Sequence, residues 1–317
     1  MKLIQYHLPK KGKRVGIVTR ENEIVDVTTE ESSTVLDLLK VSIEEGISLG
    51  IILADIQEQL SVNSPQPSIA LDQKETSTNG KLKLSQLDNP PSSDLPHLLA
   101  PIDAPEVWAF GVTYKRSADM RDDDSQSDIY SQVYNSDRPE LFFKATSERC
   151  VGSGGTIGIR SDSTFTATEP ELAYILGRDG EIVGYTICND VSAWDIEREN
   201  PLYLPQSKIY AGCCALGPML LTVSEVDNPY DLDIKCRIIR NDELIYQGEV
   251  NTNQINWKFE QLTEYLVRHN PVPVGTVVST GTGIITPSDL PLADGDLVQI
   301  EIAGFGTLSN PVGQLSS

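Results

Sequence analysis

Short apolar runs, many of them alternating with polar residues, recur along this chain and are separated by turn-forming pairs. Residues 14–19 and 23–27 read as two short strands joined around Glu21-Asn22. Residues 34–45 and 51–60 repeat apolar positions at helical spacing. Residues 61–95 lose both periods. They are rich in Ser, Pro, Asn and Gln, contain Pro90-Pro91, and read as a loop or linker with a short strand at 81–84. Beyond Pro101 strands dominate, expected at 107–111, 141–144, 171–176, 182–188, 219–223, 233–240, 276–280 and 297–302. Gly154-Gly155, Asp179-Gly180, Asn241-Asp242 and Asp294-Gly295 punctuate them. Residues 115–134, polar and bearing Asp122-Asp123-Asp124, are expected to be helical, either a solvated surface helix or a mobile cover over a site. Residues 257–268 form the clear amphipathic helix, which ends before Asn270-Pro271. The pattern predicts an α+β, β-rich chain, with a small mixed domain plus linker at 1–95 and a main domain at 96–317.

The strands flanking Asp179-Gly180 carry the most informative side chains. Successive strand residues alternate faces, so Glu169 and Glu171 share one side. Asp179-Gly180 between two apolar runs signals a tight hairpin. With a two-residue loop, Arg178 pairs with Glu181, and the same register sets Glu169 opposite Asp190. Three carboxylates on one patch of sheet repel one another. Either a hard divalent cation such as Mg2+ sits there on oxygen ligands, or the patch is a solvated acidic face.

The 317 residues suffice for one large domain or two smaller ones, and 39% hydrophobic with 22% charged residues describes a globular chain. A net charge of -21 disfavours nucleic acid and anionic membranes as partners, and requires a local cation for any anionic substrate. The amino terminus lacks signal-peptide features, and no apolar run approaches the ~20 residues that span a bilayer. Five cysteines, odd in number and without a Cys-x-x-Cys pair, are expected to be reduced thiols in a cytoplasmic protein. Gly152-Ser153-Gly154-Gly155 fits neither a dinucleotide nor a P-loop pattern, and no Gly-x-Ser-x-Gly elbow occurs. With three histidines only, carboxylate–metal chemistry is the best enzymatic reading. Glu140 and Lys144, four apart, share a strand face. Ser207-Lys208 and the glycine-flanked Thr280-Gly281-Thr282 are further polar candidates.

Taken together, Glu169-x-Glu171-Leu-Ala, Gly184-Tyr185-Thr186-x-x-Asn189-Asp190-Val191-Ser192-Ala193-x-Asp195, Ser207-Lys208, Leu216-Gly217-Pro218 and Thr280-Gly281-Thr282 resemble the fumarylacetoacetate hydrolase family. The resemblance covers Pro105 to about Pro311. Residues 138–146 and 200–218 are most similar to its sugar-acid dehydratase branch, and the tight hairpin at 177–180 also fits. The resemblance implies a β-sandwich-like roll with the amino-terminal domain appended, and a homodimer or homotetramer. It implies a Mg2+ site at Glu169, Glu171 and Asp190 (Mn2+ or Ca2+ as possible substitutes), Glu140 as catalytic acid/base and Lys208 on the substrate. Lys144, Thr282 and Tyr114 are expected to join Lys208 in binding a small 2-oxo acid.

Two positions depart from the family. Hydrolases carry His where this chain has Ser117, so activation of water for carbon–carbon cleavage loses its base. Trp194 stands where Arg is usual, with packing its default role. The resemblance therefore implies a dehydratase acting on a 2-keto-3-deoxy sugar acid, such as 2-keto-3-deoxy-D-arabinonate to 2,5-dioxopentanoate, through an enolate. The alternatives are an acylpyruvate or β-diketone hydrolase, and a non-catalytic β-rich binding protein with a structural metal. Arabinonate- and xylonate-derived substrates are taken to differ at C4, and contacts from residues 115–134 to decide between them.

Overall fold

A computed structural model describes residues 1–63, 82–125 and 128–316. Among these, an eleven-stranded sheet forms the centre. Its main path runs Ile24–Asp26, Gly12–Val18, Lys2–Leu8, Cys214–Thr222, Ile182–Asp190, Pro170–Leu176, Val277–Ser279, Val107–Gly111, Glu140–Ala145. A second sheet has five strands in the order Glu243–Asn251, Asp233–Arg240, Leu297–Ile302, Gly306–Gln314, Ile157–Ile159. The two sheets pack face to face: Leu172, Tyr174 and Ile187 share one apolar cluster with Ile234, Ile238, Ile300 and Leu308. The opposite face of the large sheet is covered too. Ala173, Ile175 and Cys188 cluster with Val35, Leu38 and Leu39 of helix Val35–Glu45. That helix starts at a reciprocal cap, Thr34 Oγ1 accepting from Asp37 N and Asp37 Oδ2 from Thr34 N, both at 3.0 Å. The fold is the expected β-rich α+β class, a sandwich with helices on its outer face.

Burial on both faces explains what the pattern hides. Every residue of Pro170–Leu176 is buried, so the strand reads as a continuous apolar run. Lys2–Leu8 buries Leu3, Ile4, Gln5 and Tyr6 in succession. It has no clean period of two, and the sequence pattern leaves it unassigned. It pairs with Cys214–Thr222, so the sheet runs across the expected boundary at residue 95. Glu243–Asn251, an edge strand with Glu243, Leu244, Gln247 and Glu249 exposed, is also unassigned. The 81–84 strand is replaced by an isolated bridge between Glu23 and Lys83 and a short turn of helix Leu84–Leu87; residues 64–81 lie outside the described residues.

The hairpin differs from expectation at its tip and agrees at its base. The turn has three residues, Arg178–Gly180, with Asp179 and Gly180 both at positive φ, and Gly177 N donates to Glu181 O at 2.7 Å. Leu176 therefore faces Ile182, one residue out of step with a two-residue loop. A bulge between Ile175 and Leu176 restores the step, so Pro170 faces Asn189. The two irregularities cancel, and Glu169 stands opposite Asp190.

Candidate active site

At the open end of this strand pair, Asp190 N donates to Glu169 O at 2.9 Å, and Glu171 follows on the same face. Asn189 fixes the bend: its Oδ1 accepts from Thr168 Oγ1 at 2.8 Å and Glu169 N at 3.2 Å. Glu169, Glu171 and Asp190 are buried, and one oxygen of each lies within 4.8 Å of the others. Lys208, at the end of helix Leu204–Lys208, reaches in from the side. Its Nζ lies 3.0 and 3.1 Å from the two oxygens of Glu169, 3.3 Å from Asp190 Oδ2 and 2.6 Å from Ser192 Oγ.

The surrounding charges divide the carboxylates. Burial would raise Glu169, but Lys208, Arg121 and the Trp194 indole N–H outweigh it and hold its pKa at about 2. Glu171 is pushed up to about 8 by burial, then by Asp190 and Glu169, against hydrogen bonds from Ser279 and Gly281. Burial lowers Lys208, yet Asp190 and Glu169 raise it further, so it stays protonated. Three buried oxygen-donor residues, one of them destabilised as an anion, fit a hard divalent cation: such an ion supplies the charge that Glu171 lacks.

Glu169, Glu171, Asp190 and Lys208 line a small cleft. Glu140, Phe142, Ser117, Arg121, Gly281 and Thr282 line it too. Burial raises the half-buried Glu140 carboxyl above the usual carboxylate range; Arg121 and Lys208 pull it down, while Glu197 and Glu169 push it up. A carboxyl so placed can both take and return a proton. Two glycines make room for this arrangement. A methyl at Gly281, where φ is +92°, would collide with Thr113 Oγ1 and stand 2.9 Å from Phe110 O. A methyl at Gly111 would collide with Glu140 Oε2 and stand 2.8 Å from its Cδ. The atoms displaced at Gly111 are the far end of a flexible side chain. Gly111→Ala is therefore expected to fold normally and, with Glu140 in a catalytic role, to lower kcat by roughly tenfold to a hundredfold. Steady-state kinetics beside a thermal melt check this. Val112, also in the cleft wall, has φ 55°, a strained conformation for a β-branched residue.

Glu140, Glu169, Glu171, Asp190, Lys208 and Thr282 line this cleft as expected, whereas Lys144 and Tyr114 are placed differently. Lys144 is fully buried and does not line the cleft. Its ammonium is taken up by Val191 O at 2.8 Å, Lys208 O at 2.7 Å and an ion pair with Asp190 Oδ1 at 2.5 Å. It ties Asp190 to the backbone at Val191 and Lys208. Tyr114 is 1% exposed in the apolar core and its hydroxyl has no hydrogen-bond partner among the described residues; it does not line the cleft either.

The sequence pattern did not point to Arg121 or Glu197. Arg121 Nη2 lies 3.2 Å from Glu169 Oε1 and Nη1 2.7 Å from Glu197 Oε1. Ser117 and Arg121 are four apart on helix Lys115–Ser125, hence on one helical face, the signal that could have found them. Of the acidic triplet, Asp122 acts locally. It accepts the backbone N–H groups of Tyr130 at 2.9 Å and Ser131 at 3.0 Å, joining helices Lys115–Ser125 and Ile129–Tyr134. Trp194 also acquires a partner beyond packing, its Nε1 donating to Glu169 Oε1 at 2.6 Å.

Residues 106–313 match the family model described as Fumarylacetoacetate (FAA) hydrolase C-terminal. The 2-dehydro-3-deoxy-D-arabinonate dehydratase of Saccharolobus solfataricus is 51% identical over 217 residues, 67% of this chain and 73% of that protein. A probable 2-keto-3-deoxyxylonate dehydratase of Haloferax volcanii is 48% identical over 217 residues, 68% of this chain and 75% of that protein. A solved structure of 2-keto-3-deoxy-D-arabinonate dehydratase, complexed with magnesium and 2,5-dioxopentanoate, matches over 100% of both chains with a TM-score of 0.78 and 37% identity.

Proposed function

The chain belongs to the fumarylacetoacetate hydrolase family, and from that premise we propose that it is a Mg2+-dependent dehydratase converting 2-keto-3-deoxy-D-arabinonate to 2,5-dioxopentanoate. The observation that carries the reading is the convergence of Glu140 and the Glu169–Glu171–Asp190 cluster on one small cleft in which position 117 is Ser. Glu169, Glu171 and Asp190 would hold the cation. When bound, Mg2+ supplies charge stabilisation at the substrate carboxylate and 2-oxo oxygen, which acidifies C3.

The chain's own residues then divide the work. Glu140 takes the C3 proton and gives a proton to the departing C4 hydroxyl, so the elements of water leave from C3 and C4. The 3,4-enone that remains is an isomer of 2,5-dioxopentanoate, reached when a C5 proton leaves to form a dienol that is reprotonated on carbon. Lys208 presents a permanent positive charge to the substrate anion, and Thr282 closes the cleft edge. Phe110, Phe142 and Leu204 limit water. The acylpyruvate-hydrolase alternative needs a base for water, and the buried Ser117 in the cleft wall offers none. The non-catalytic alternative gives way to the relatives' dehydratase identity.

One expectation is corrected by chemistry. A 2-keto-3-deoxypentonate retains a stereocentre at C4 only, and D-arabinonate and D-xylonate share it, so the two give one compound. Tail length and the C4 epimer are the remaining substrate distinctions. A homodimer or homotetramer in the cytoplasm belongs to the same reading; no helix among the described residues is long and apolar enough to cross a membrane. The test is a panel of 2-keto-3-deoxy acids with Mg2+, following substrate loss and aldehyde formation. Turnover of the D-pentonate is expected; turnover of an acylpyruvate and of no deoxy acid would overturn the reading.

A further inference from the structure

Each carboxylate at the centre of the cleft has one oxygen engaged by a fixed protein group. Glu169 Oε1 accepts from Trp194 Nε1 at 2.6 Å and from Arg121 Nη2 at 3.2 Å. Glu171 Oε2 accepts from Ser279 Oγ at 2.5 Å and Gly281 N at 2.7 Å. Asp190 Oδ1 is ion-paired at 2.5 Å with Lys144, whose ammonium is itself anchored on two backbone carbonyls. The opposite oxygens are Glu169 Oε2, Glu171 Oε1 and Asp190 Oδ2. Lys208 Nζ donates to the first at 3.1 Å and the last at 3.3 Å, and also to Glu169 Oε1 at 3.0 Å, so a cation on these oxygens has only this long, flexible side chain to displace.

We propose that Trp194, together with Ser279 and Lys144, sets the cation preference of this site by restricting each carboxylate to a single donor oxygen, which favours Mg2+ over Ca2+. The inference rests on reading Glu169, Glu171 and Asp190 as cation ligands. Mg2+ requires a compact octahedron and keeps several waters, so three single-oxygen donors leave three positions for water or substrate. Ca2+ takes six to eight oxygens at longer distances and usually recruits both oxygens of a carboxylate. A carboxylate with a free side chain rotates to offer both. Here rotation is opposed at each residue by a buried donor.

Trp194 is held in place by packing. It is 5% exposed and stacks on Phe165 with ring centroids 5.7 Å apart and planes 3° from parallel. Arg198 lies over both rings, 5.1 Å from that of Trp194 and 5.0 Å from that of Phe165. Its indole has one N–H and no acceptor, so it can only hold an oxygen and in only one direction. Phe at this position keeps the stack and removes the hydrogen bond.

Isothermal titration of the full chain with Mg2+ and with Ca2+ tests the proposal without recourse to activity. Wild type is expected to bind Mg2+ more tightly. In Trp194→Phe the ratio of the Ca2+ to the Mg2+ dissociation constant should fall by about tenfold, the scale on which groups holding a ligand act. Ser279→Ala, which leaves the Gly281 N–H on the same Glu171 oxygen, should move the ratio the same way by less. It also decides the matter if Trp194→Phe melts early. A ratio unmoved in both folded variants, or a wild type that prefers Ca2+, overturns this inference and leaves the dehydratase reading standing. A wild type that binds neither cation removes both.

Discussion

Glu140→Gln is expected to lower kcat by about a hundredfold to ten-thousandfold, the usual worth of a general acid/base, while Mg2+ binding stays within error of wild type. The amide has nearly the size and shape of the acid, so the packing against Gly111 is kept. What is lost is the ability to accept the C3 proton and to return one. The pH profile should carry the same signature. Burial raises the Glu140 carboxyl, so the acid limb of kcat, where the base becomes protonated as pH falls, lies above the range of an ordinary carboxylate. Arg121 opposes that shift, so Arg121→Met should move the limb to still higher pH. Wild-type kcat in Glu140→Gln would remove this residue from its role.

Removal of divalent cations is expected to abolish turnover, and Mg2+ to restore it. The same cation should raise the melting temperature, since it binds the folded site alone. Binding should also depend on pH with a definite sign. Glu171, pushed up to about 8, holds a proton at neutral pH, and a cation must displace it. Apparent Mg2+ affinity therefore rises with pH toward about 8 and levels off above it, and each binding event at pH 7 releases a proton to the buffer. Calorimetry in two buffers of different ionisation enthalpy measures that proton. Full activity in a chelator-treated, metal-free preparation would sink the scheme.

The carboxylate cluster was legible because it depends on strand periodicity and one register, both local properties of residues 168–190. The register survived an error in the turn only because the Ile175–Leu176 bulge compensates for the third turn residue. What lay beyond reach came from other parts of the chain. Arg121 contacts Glu169 from 48 residues away, and Trp194 from 25; neither spacing is a sequence period. The shared strand face of Glu140 and Lys144 is a local expectation, whereas the contacts of Lys144 with Asp190 and with the Val191 and Lys208 carbonyls come from distant segments. The strand Lys2–Leu8 escaped because burial of both its faces erases the alternation by which strands are found.

That strand has a consequence for how the protein is made. Leu3 pairs with Leu220, so on the ribosome this strand waits for about 200 further residues before its partner exists. Until then Lys2–Leu8 and Gly12–Val18 can form a hairpin with one unpaired edge and an uncovered apolar face. Long-range pairing of this kind slows folding. The nascent chain therefore passes through a long interval in which these two strands are open to pairing with other copies.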